Sequence, residues 1–202
     1  MASRRSTPRP EPGTGFVLDI DSLGRRPGSS KQIQRTVAAS ARIGLDAIAI
    51  EAGSPVELDL RLEAVSEGVL VTGTVRADTA GECTRCLEPI TGSVDVYLTE
   101  LFAYPNSVTE ETTDEEEISR IVDDQIDLEP VIVDSVGLEL PLHPVCREDC
   151  EGLCPECGVR LAIAESGHSH DILDPRWAGL AAKFGVESEP STELVNNEAE
   201  EK

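Results

Sequence analysis

Six cysteines are the residues of this chain that point most clearly to chemistry, because their spacing is that of metal ligands. They are Cys83, Cys86, Cys146, Cys150, Cys154 and Cys157. The first two form a C-x2-C motif, and the last two form another, which Gly158 follows directly. Two thiolates at this spacing can face one ion, while a glycine relieves the backbone as it turns around the metal. We therefore predict that all six cysteines serve as ligands of structural zinc.

The sequence leaves open which of these donors share an ion. The two C-x2-C motifs could clamp one ion as a zinc ribbon does, although 67 residues separate Cys86 from Cys154. The four thiols of residues 146–157 could instead form a local site, since short loops cost the least entropy to close. Six thiols with His168 and His170 would fill two sites of four donors. Taken alone, these two histidines lie in a polar stretch and are expected to be solvated.

No catalytic motif accompanies the cysteines. The sequence contains no P-loop, no dinucleotide-binding glycine motif, no nucleophile elbow and no zinc-protease helix motif. No histidine lies close in sequence to Cys83 or Cys86 to activate a thiol, and the βαβ setting of a thioredoxin-like motif is missing. We predict that the protein is not an enzyme and keep a thiol redox sensor as the weaker alternative.

The charge of the chain is large and unevenly distributed. Among 202 residues, 17 are Lys or Arg and 39 are Asp or Glu, which gives a formal net charge of −22. Residues 1–42 hold eight basic and three acidic residues, a net charge of +5, and the remainder carries −27. This balance argues against a protein wrapped uniformly around phosphate backbones, and 3% aromatic residues argue against base-stacking surfaces. An acidic body with a basic head predicts two different contacts.

The elements that must position the cysteines are mostly strands. Residues 56–63 alternate apolar and charged side chains, which is the period of a half-buried strand. Residues 69–75 are predicted to return antiparallel to it, and residues 94–104 and 16–20 give further strands. An antiparallel meander is the economical arrangement, and it places Cys83 and Cys86 on a turn between two of its strands.

Two helices and one acidic segment complete the predicted elements. Residues 128–142 show the 3.6-residue period of an amphipathic helix, with a start signal at Asp127 and Pro130 tolerated in the first turn. A final short helix is predicted over residues 174–184. The like charges within residues 107–124 predict a mobile loop in the first half of that segment. Together these patterns predict an α+β fold: an antiparallel strand meander with a few helices and a Cys-rich, zinc-ribbon-like element.

The two ends of the chain have the composition of disordered segments. Residues 1–15 predict a basic tail and residues 186–202 an acidic one. The Arg-, Ser- and Pro-rich start faintly resembles an organelle transit peptide, but it lacks the apolar region of a secretory signal. No stretch approaches the ~20 apolar residues that a membrane helix needs. We expect a cytoplasmic protein without a membrane contact.

Several segments resemble the YceD family, a bacterial and plastid group described as large ribosomal RNA subunit accumulation proteins and formerly as a domain of unknown function. The matching segments are Leu23–Gly28, Cys83–Pro89, Ile126–Pro130, Leu138–Pro141, Cys146–Gly158 and Asp174–Trp177. They extend over most of residues 16–185, and their order and the cysteine string are quite specific. Many relatives follow the second C-x2-C motif with a further cysteine pair, whereas this chain has His168 and His170.

The resemblance implies a role in ribosome biogenesis. It predicts a non-enzymatic factor that supports synthesis, processing or stability of 23S rRNA and assembly of the large ribosomal subunit. It also implies one domain over residues 16–185 that contains a Cys-rich element at 143–170. The acidic body favours a basic ribosomal protein or a pre-50S particle as partner, and direct zinc-dependent binding of 23S rRNA is the alternative. Residues predicted to contact RNA or the partner are Arg25, Arg26, Arg85, Arg147 and Arg160.

Overall fold

The computed structural model describes residues 15–114 and 118–170, together with Arg176 and Lys183. The chain divides into two compact units, Met1–Gly152 and Leu153–Lys202. The elements of the first unit are β1 (Val17–Asp19), β2 (Ser30–Ala38), β3 (Ile43–Gly44), β4 (Ile48–Ile50), β5 (Pro55–Ala64), β6 (Gly68–Glu82), β7 (Pro89–Ala103), α1 (Val108–Thr112), β8 (Ser119–Arg120), β9 (Gln125–Asp127) and α2 (Glu129–Glu139). Single 3-10 turns occur at Asp21–Leu23 in the first unit and at Leu161–Ile163 in the second.

The centre of the first unit is an antiparallel meander of β5, β6 and β7, which confirms the prediction from the alternating pattern. β6 pairs with β7 along its whole length, from Gly68 opposite Ala103 to Glu82 opposite Pro89. The apolar side chains of β5 lie on the buried face, while most of its charged side chains point to solvent. Because both long strands run to residues 82 and 89, the turn that joins them carries the first C-x2-C motif.

Three further strands, β2, β3 and β4, extend the sheet and carry little sequence signal. β2 pairs with β5 at one side of the sheet, and β4 pairs with β6 beyond the end of β5, with Ile48 opposite Gly81. Ile33 and Val37 are the large apolar residues of β2, so its alternation is weak. β3 and β4 span two and three residues, which is too short for a period to be recognised.

The helix predicted over residues 128–142 is α2, which spans Glu129–Glu139. Its predicted amphipathic pattern is not confirmed, because Val133 and Leu138 are exposed. A carboxylate oxygen of Asp127 accepts a hydrogen bond from the Glu129 N–H at 2.9 Å, and Pro130 lies in the first turn, where its missing N–H costs nothing. Ile132 and Val136 are fully buried in the core of the first unit. The strand predicted over residues 16–20 is β1, which pairs with β9 just before this helix.

The acidic segment was expected to begin as a mobile loop, and that expectation is wrong for residues 107–112. The Ser107 side chain accepts a hydrogen bond from the Glu110 N–H at 3.2 Å and so caps α1. The Arg120 Nε atom on β8 lies 3.4 Å from a Glu110 carboxylate oxygen. Acidic residues in the first turn of a helix interact favourably with its dipole. Glu110 and Glu111 therefore stabilise α1, although their like charges repel each other.

Some predictions fall where the structure offers no description. Apart from Gly15, Arg176 and Lys183, the predicted tails 1–15 and 186–202 and the final helix over residues 174–184 lie outside the described residues. None of the described helices is long and apolar enough to cross a membrane.

Candidate metal centres

The first candidate centre begins at the turn between β6 and β7. Cys83 and Cys86 are buried there, at 0% and 7% exposure. The Cys83 N–H donates to the Glu88 carbonyl at 2.8 Å, and the Leu87 N–H donates back to the Cys83 carbonyl at 2.9 Å. Leu87 adopts the left-handed conformation, with φ of 58°, which helps the chain to reverse. The turn thereby brings both sulfurs within 4.8 Å of each other.

The loop that follows α2 supplies the other two thiols of this centre. The Pro144 carbonyl accepts hydrogen bonds from the Thr84 N–H at 2.9 Å and from the Thr84 hydroxyl at 3.1 Å. The Arg85 Nη1 atom donates to the carbonyls of Glu148 and Cys150, at 3.2 and 3.0 Å. These contacts hold the loop against the β6–β7 turn, so that residues about 60 positions apart in sequence meet.

The four sulfurs of the first centre have the spacing of a tetrahedral zinc site. Cys83 Sγ lies 3.8 Å from Cys150 Sγ, and Cys86 Sγ lies 3.7 Å from Cys146 Sγ. Four Zn–S bonds of ~2.3 Å in tetrahedral geometry separate the sulfurs by about 3.8 Å. No disulfide joins any of the six cysteines, all of which the structure describes. Four thiolates that converge in this way fit a closed zinc site, and no fifth protein donor is needed.

The ionisation of these thiols is consistent with a cation between them. Burial opposes ionisation of Cys83, but N–H groups of Cys146, Cys86 and Arg85 outweigh it and lower the pKa of Cys83 to about 6. Desolvation of the sulfur, aided by hydrogen bonds to neighbouring thiols, raises the pKa of Cys146 to about 12. One thiolate is therefore stabilised, while desolvation and the neighbouring thiols raise the pKa of Cys86 and of Cys146. A divalent cation would supply the missing positive charge.

The second candidate centre lies in the second unit and is built from a local stretch of chain. The Cys154 N–H donates to the Val159 carbonyl at 2.8 Å, and the Gly158 N–H donates to the Cys154 carbonyl at 2.9 Å. Gly158 has φ of 71°, a conformation that glycine adopts without strain. A second turn, in which the His168 N–H donates to the Glu165 carbonyl at 3.0 Å, returns the chain to the cysteines.

Two thiols and two imidazoles converge at this second centre. The donor atoms of Cys154, Cys157, His168 and His170 lie within 4.8 Å of one another. His168 Nε2 is 3.3 Å from Cys157 Sγ and 3.0 Å from His170 Nε2. Tetrahedral zinc with ordinary bond lengths would set these separations at about 3.6 and 3.3 Å. The donor atoms therefore lie slightly inside the edges of such a site, and the donor set is one that zinc binds.

The second centre is more exposed than the first. Cys154 is 6% exposed, whereas Cys157 and His170 are exposed and His168 is half-buried. N–H groups of Cys157 and Glu156 lower the pKa of Cys154 to about 6, and a hydrogen bond with the His168 ring acts in the same direction against burial. A thiolate held by backbone donors is thus common to both centres.

The structure resolves the groupings that the spacing left open. The two C-x2-C motifs belong to different clusters, and the four thiols of residues 146–157 are divided between them. His168 and His170, expected to be solvated, lie beside Cys154 and Cys157, where His168 is half-buried and His170 is exposed. The signal that identifies them is an H-x-H pair shortly after a C-x2-C-G motif.

Several of the arginines predicted as contact residues already have partners within the chain. Arg25 pairs with Asp124 at 3.2 Å, and Arg147 pairs with Asp149 at 3.4 Å. Arg85 binds two carbonyls of the cysteine loop through its Nη1 atom. These contacts give Arg85 a role in the first centre, while contact with an outside partner stays a prediction.

The other two predicted contact residues lie in separate turns. Arg26 is exposed, and its carbonyl accepts a hydrogen bond from the Ser29 N–H at 3.0 Å. Arg160 pairs with Leu153 in an isolated antiparallel bridge beside the second centre.

Comparison with known proteins identifies relatives over most of the chain. An uncharacterized protein of Mycobacterium tuberculosis is 61% identical over 174 residues, which cover 86% of this chain and 84% of the relative. An uncharacterized protein of Mycobacterium leprae is 50% identical over 91% of this chain and 84% of its own. The uncharacterized protein YlbN of Bacillus subtilis is 24% identical over 80% of this chain and 92% of its own length. No solved structure matches the chain.

One family model also matches, over residues 71–182, and it carries the description large ribosomal RNA subunit accumulation protein. The matched region starts within β6 and includes every donor of both candidate centres. It covers more than half of the 202 residues, so the chain belongs to the YceD family.

Proposed function

We propose that this protein is a non-enzymatic factor that supports the accumulation of 23S rRNA and the assembly of the large ribosomal subunit. The observation that carries the proposal is membership in a family named for large ribosomal RNA subunit accumulation. The proposed mode of action is binding of a basic ribosomal protein or of an assembly intermediate that exposes one. The proposed site of action is the cytoplasm, where bacterial ribosomes are assembled.

The charge distribution supports a protein partner over naked RNA. Outside residues 1–42 the chain carries a net charge of −27, and opposite charges speed encounters with basic proteins. Part of the basic head is used inside the fold: Arg35 donates to the carbonyls of Gly15 and Val17, and Arg42 pairs with Glu51 at 3.4 Å. The cations available to phosphates are therefore fewer than the sequence suggests.

We further propose that both four-donor clusters bind structural zinc and that the second is a zinc-ribbon-like element. When bound, zinc would cross-link its four donors and supply folding free energy. A site with four protein donors has no open position for a substrate or an activated water, which supports a structural role. Residues 16–185 are proposed to act as one domain, with the Cys-rich element at 143–170 and tails at 1–15 and 186–202.

The test is depletion of the protein in its own cells combined with capture of a tagged copy. Depletion should lower 23S rRNA relative to 16S rRNA, and the tagged copy should capture basic large-subunit proteins identified by mass spectrometry. Capture should survive ribonuclease treatment if the contact is with protein. An unchanged ratio of 23S to 16S rRNA on depletion would overturn the proposed role.

Direct binding of rRNA is the competing outcome of the same experiment. Purified 23S rRNA stripped of proteins would then bind the chain tightly, and the binding would survive removal of the basic tail. The deletion has to stop at residue 14, because β1 and β2 lie at residues 17–38 and belong to the fold. Tight binding of 23S rRNA by this truncated chain would show that the partner is RNA and not a protein.

A further inference from the structure

One edge of β7 has a neighbouring strand only at its end, in the part of the chain that the structure describes. β7 pairs with β6 on one side along all 15 of its residues. On its other side it pairs with β8 only at Phe102 and Ala103. Between Pro89 and Leu101, in the part of the chain that the structure describes, no other backbone group bonds to this edge. A long row of N–H and C=O groups on this edge therefore has no backbone partner among the described residues.

Apart from Pro89 at its start and the charged Asp95 and Glu100, this edge lacks the features with which proteins commonly block strand addition. Edge strands are usually protected by prolines, lysines or bulges. Here Pro89 stands at the first position of the strand, and Thr91, Gly92 and Ser93 follow it. The pairing of β6 with β7 runs through this segment without a break in register. Small side chains leave the backbone open to an extended segment.

A groove of negative charge adjoins the same part of the edge. Two cavities of about 540 and 290 Å³ share Asp78 and Ser93, and Thr91 and Gly92 line the larger one. The acidic residues that line the two cavities are Glu51, Glu57, Asp78 and Asp95. The one basic residue among their lining residues is Arg76, which pairs with Asp95 at 2.7 Å. The groove therefore carries a net negative charge.

The position of Asp78 connects the groove to the edge. Asp78 lies on β6 directly opposite Ser93 of β7, and both side chains are exposed. Adjacent strands are separated by ~4.8 Å, so a strand added beside β7 would lie two strand spacings from Asp78. A lysine or arginine side chain is long enough to pass over Ser93 and approach that carboxylate. Charge complementarity thus favours an added strand that carries lysine or arginine side chains.

We propose that the open edge of β7 is a docking surface for an extended, basic protein segment, which adds as a strand and places lysine or arginine side chains in the groove at Asp78. Backbone hydrogen bonds would supply affinity that does not depend on sequence, and the groove would select for positive charge. The proposal rests on the proposed function, of which it specifies the partner surface.

The test uses the full chain and a 12-residue peptide of alternating lysine and threonine, with binding followed by amide NMR shifts. Alternate N–H groups of an extended peptide point to opposite edges. The N–H groups of the lysines therefore point to one edge and those of the threonines to the other, and only one set can bond to β7. N-methylation of that set should weaken binding at least tenfold, while N-methylation of the other set should leave binding unchanged. Equal effects of the two methylation patterns, or shifts that spare residues 90–97, would overturn strand addition.

Substitution of the chain tests the groove. Asp78→Lys should raise the Kd of the peptide about tenfold, because an attractive pair becomes a repulsive one. The matched control, Asp134→Lys on the exposed side of α2, should leave it unchanged. Equal effects of the two substitutions on the Kd would overturn the assignment. It would also be overturned if a 12-nucleotide oligouridylate shifted the same amide signals and bound as tightly as the peptide. Self-association that the peptide cannot displace would show that a second copy occupies the edge.

The same pair of variants separates this inference from the proposed function in cells. If tagged wild-type chain captures large-subunit precursors and Asp78→Lys reduces capture more than Asp134→Lys does, both are supported. If all three chains capture precursors equally, the proposed function stands and the docking edge is wrong. If wild-type chain captures none, the proposed function fails, and the peptide experiment still decides whether the edge binds basic strands.

Discussion

The two candidate metal centres use similar chemistry but depend on the fold in different ways. The first collects four thiols from a hairpin turn and from a loop about 60 residues later, and three of its cysteines are buried. The second collects two thiols and two imidazoles between Cys154 and His170, where only Cys154 is buried. The four donors of the first meet where the β6–β7 turn contacts the loop after α2. The second requires two local turns, so its loss is expected to have local consequences.

The largest effect is expected from breaking the first centre. Cys83→Ser should remove about one of two zinc ions per chain and lower the free energy of unfolding of the first unit by more than about 4 kcal/mol. The physical reason is that the ion cross-links distant parts of the sheet and the loop after α2. Elemental analysis of the purified chain gives the zinc content, and urea denaturation followed by circular dichroism gives the stability.

A second substitution at the same centre acts as the control for burial. Cys146 is exposed, so its replacement by serine removes little packing. Cys146→Ser should nevertheless lose the same ion as Cys83→Ser, because each removes one corner of the tetrahedron. Two zinc ions retained in either variant would contradict the ligand assignment.

Breaking the second centre should remove the other ion with a smaller structural effect. His168→Ala should lose about one zinc and speed amide hydrogen exchange within residues 153–170, while exchange in β5, β6 and β7 changes little. His168→Cys should restore the ion, since a thiolate is an equivalent zinc donor.

The chain offers a matched control for this prediction in its third histidine. His143 is exposed and lies outside both donor clusters, so His143→Ala should keep both ions. If His143→Ala and His168→Ala had the same zinc content and the same exchange pattern, the assignment of His168 as a donor would be refuted.

The contrast between the centres also explains what the sequence could and could not predict. The meander was predictable because β5 alternates strictly, and α2 because Asp127 and Pro130 mark a helix start and Pro141 follows its end. The grouping of Cys83 with Cys150 was not, since it depends on the length of β6 and on the contact of Thr84 with Pro144. Beyond Val75, the buried positions of β6 are held by Ala77 and Thr79, whose small or polar side chains give only a weak hydrophobic period.

The position of the two histidines beside the cysteines depends on a local turn. Their polar surroundings indicate solvent, and the structure leaves His170 exposed. Their role depends on the turn at Glu165 and Gly167, which returns the chain to Cys157. A local turn of this kind is accessible to sequence reasoning when an H-x-H pair follows a C-x2-C-G motif. The open edge of β7, by contrast, depends on which strands pair and could not be read from the chain.

An intermediate effect is expected where a side chain, not a ligand, supports the first centre. Arg85→Ala removes hydrogen bonds from a guanidinium to two loop carbonyls and should lower the free energy of unfolding by about 1–3 kcal/mol. Arg147→Ala is the matched control, because Arg147 makes an ion pair with Asp149 in which both side chains are more than half exposed. Its cost should stay below about 0.5 kcal/mol.

The same pair of arginines distinguishes support of the fold from contact with RNA. If Arg85 acts mainly on the loop, Arg85→Ala should weaken zinc retention under a chelator competition, and Arg147→Ala should not. Equal stability and equal zinc retention in the two variants would mean that the Arg85 contacts contribute nothing to the first centre.

The smallest expected difference concerns one glycine beside each centre. Gly152 and Gly158 both have positive φ, at 83° and 71°, so alanine strains the backbone of either by about 1 kcal/mol. A Cβ atom on Gly152 would also lie 3.1 Å from the Arg85 carbonyl oxygen, whereas a Cβ on Gly158 would meet no atom within 4 Å. Gly152→Ala should therefore cost more stability than Gly158→Ala and should weaken zinc binding at the first centre, while Gly158→Ala affects only the second. Zinc release by a chelator measures this difference, with each centre followed in a variant that has lost the other. Equal release from the first centre in both glycine variants would show that the loop does not need to approach Arg85 so closely.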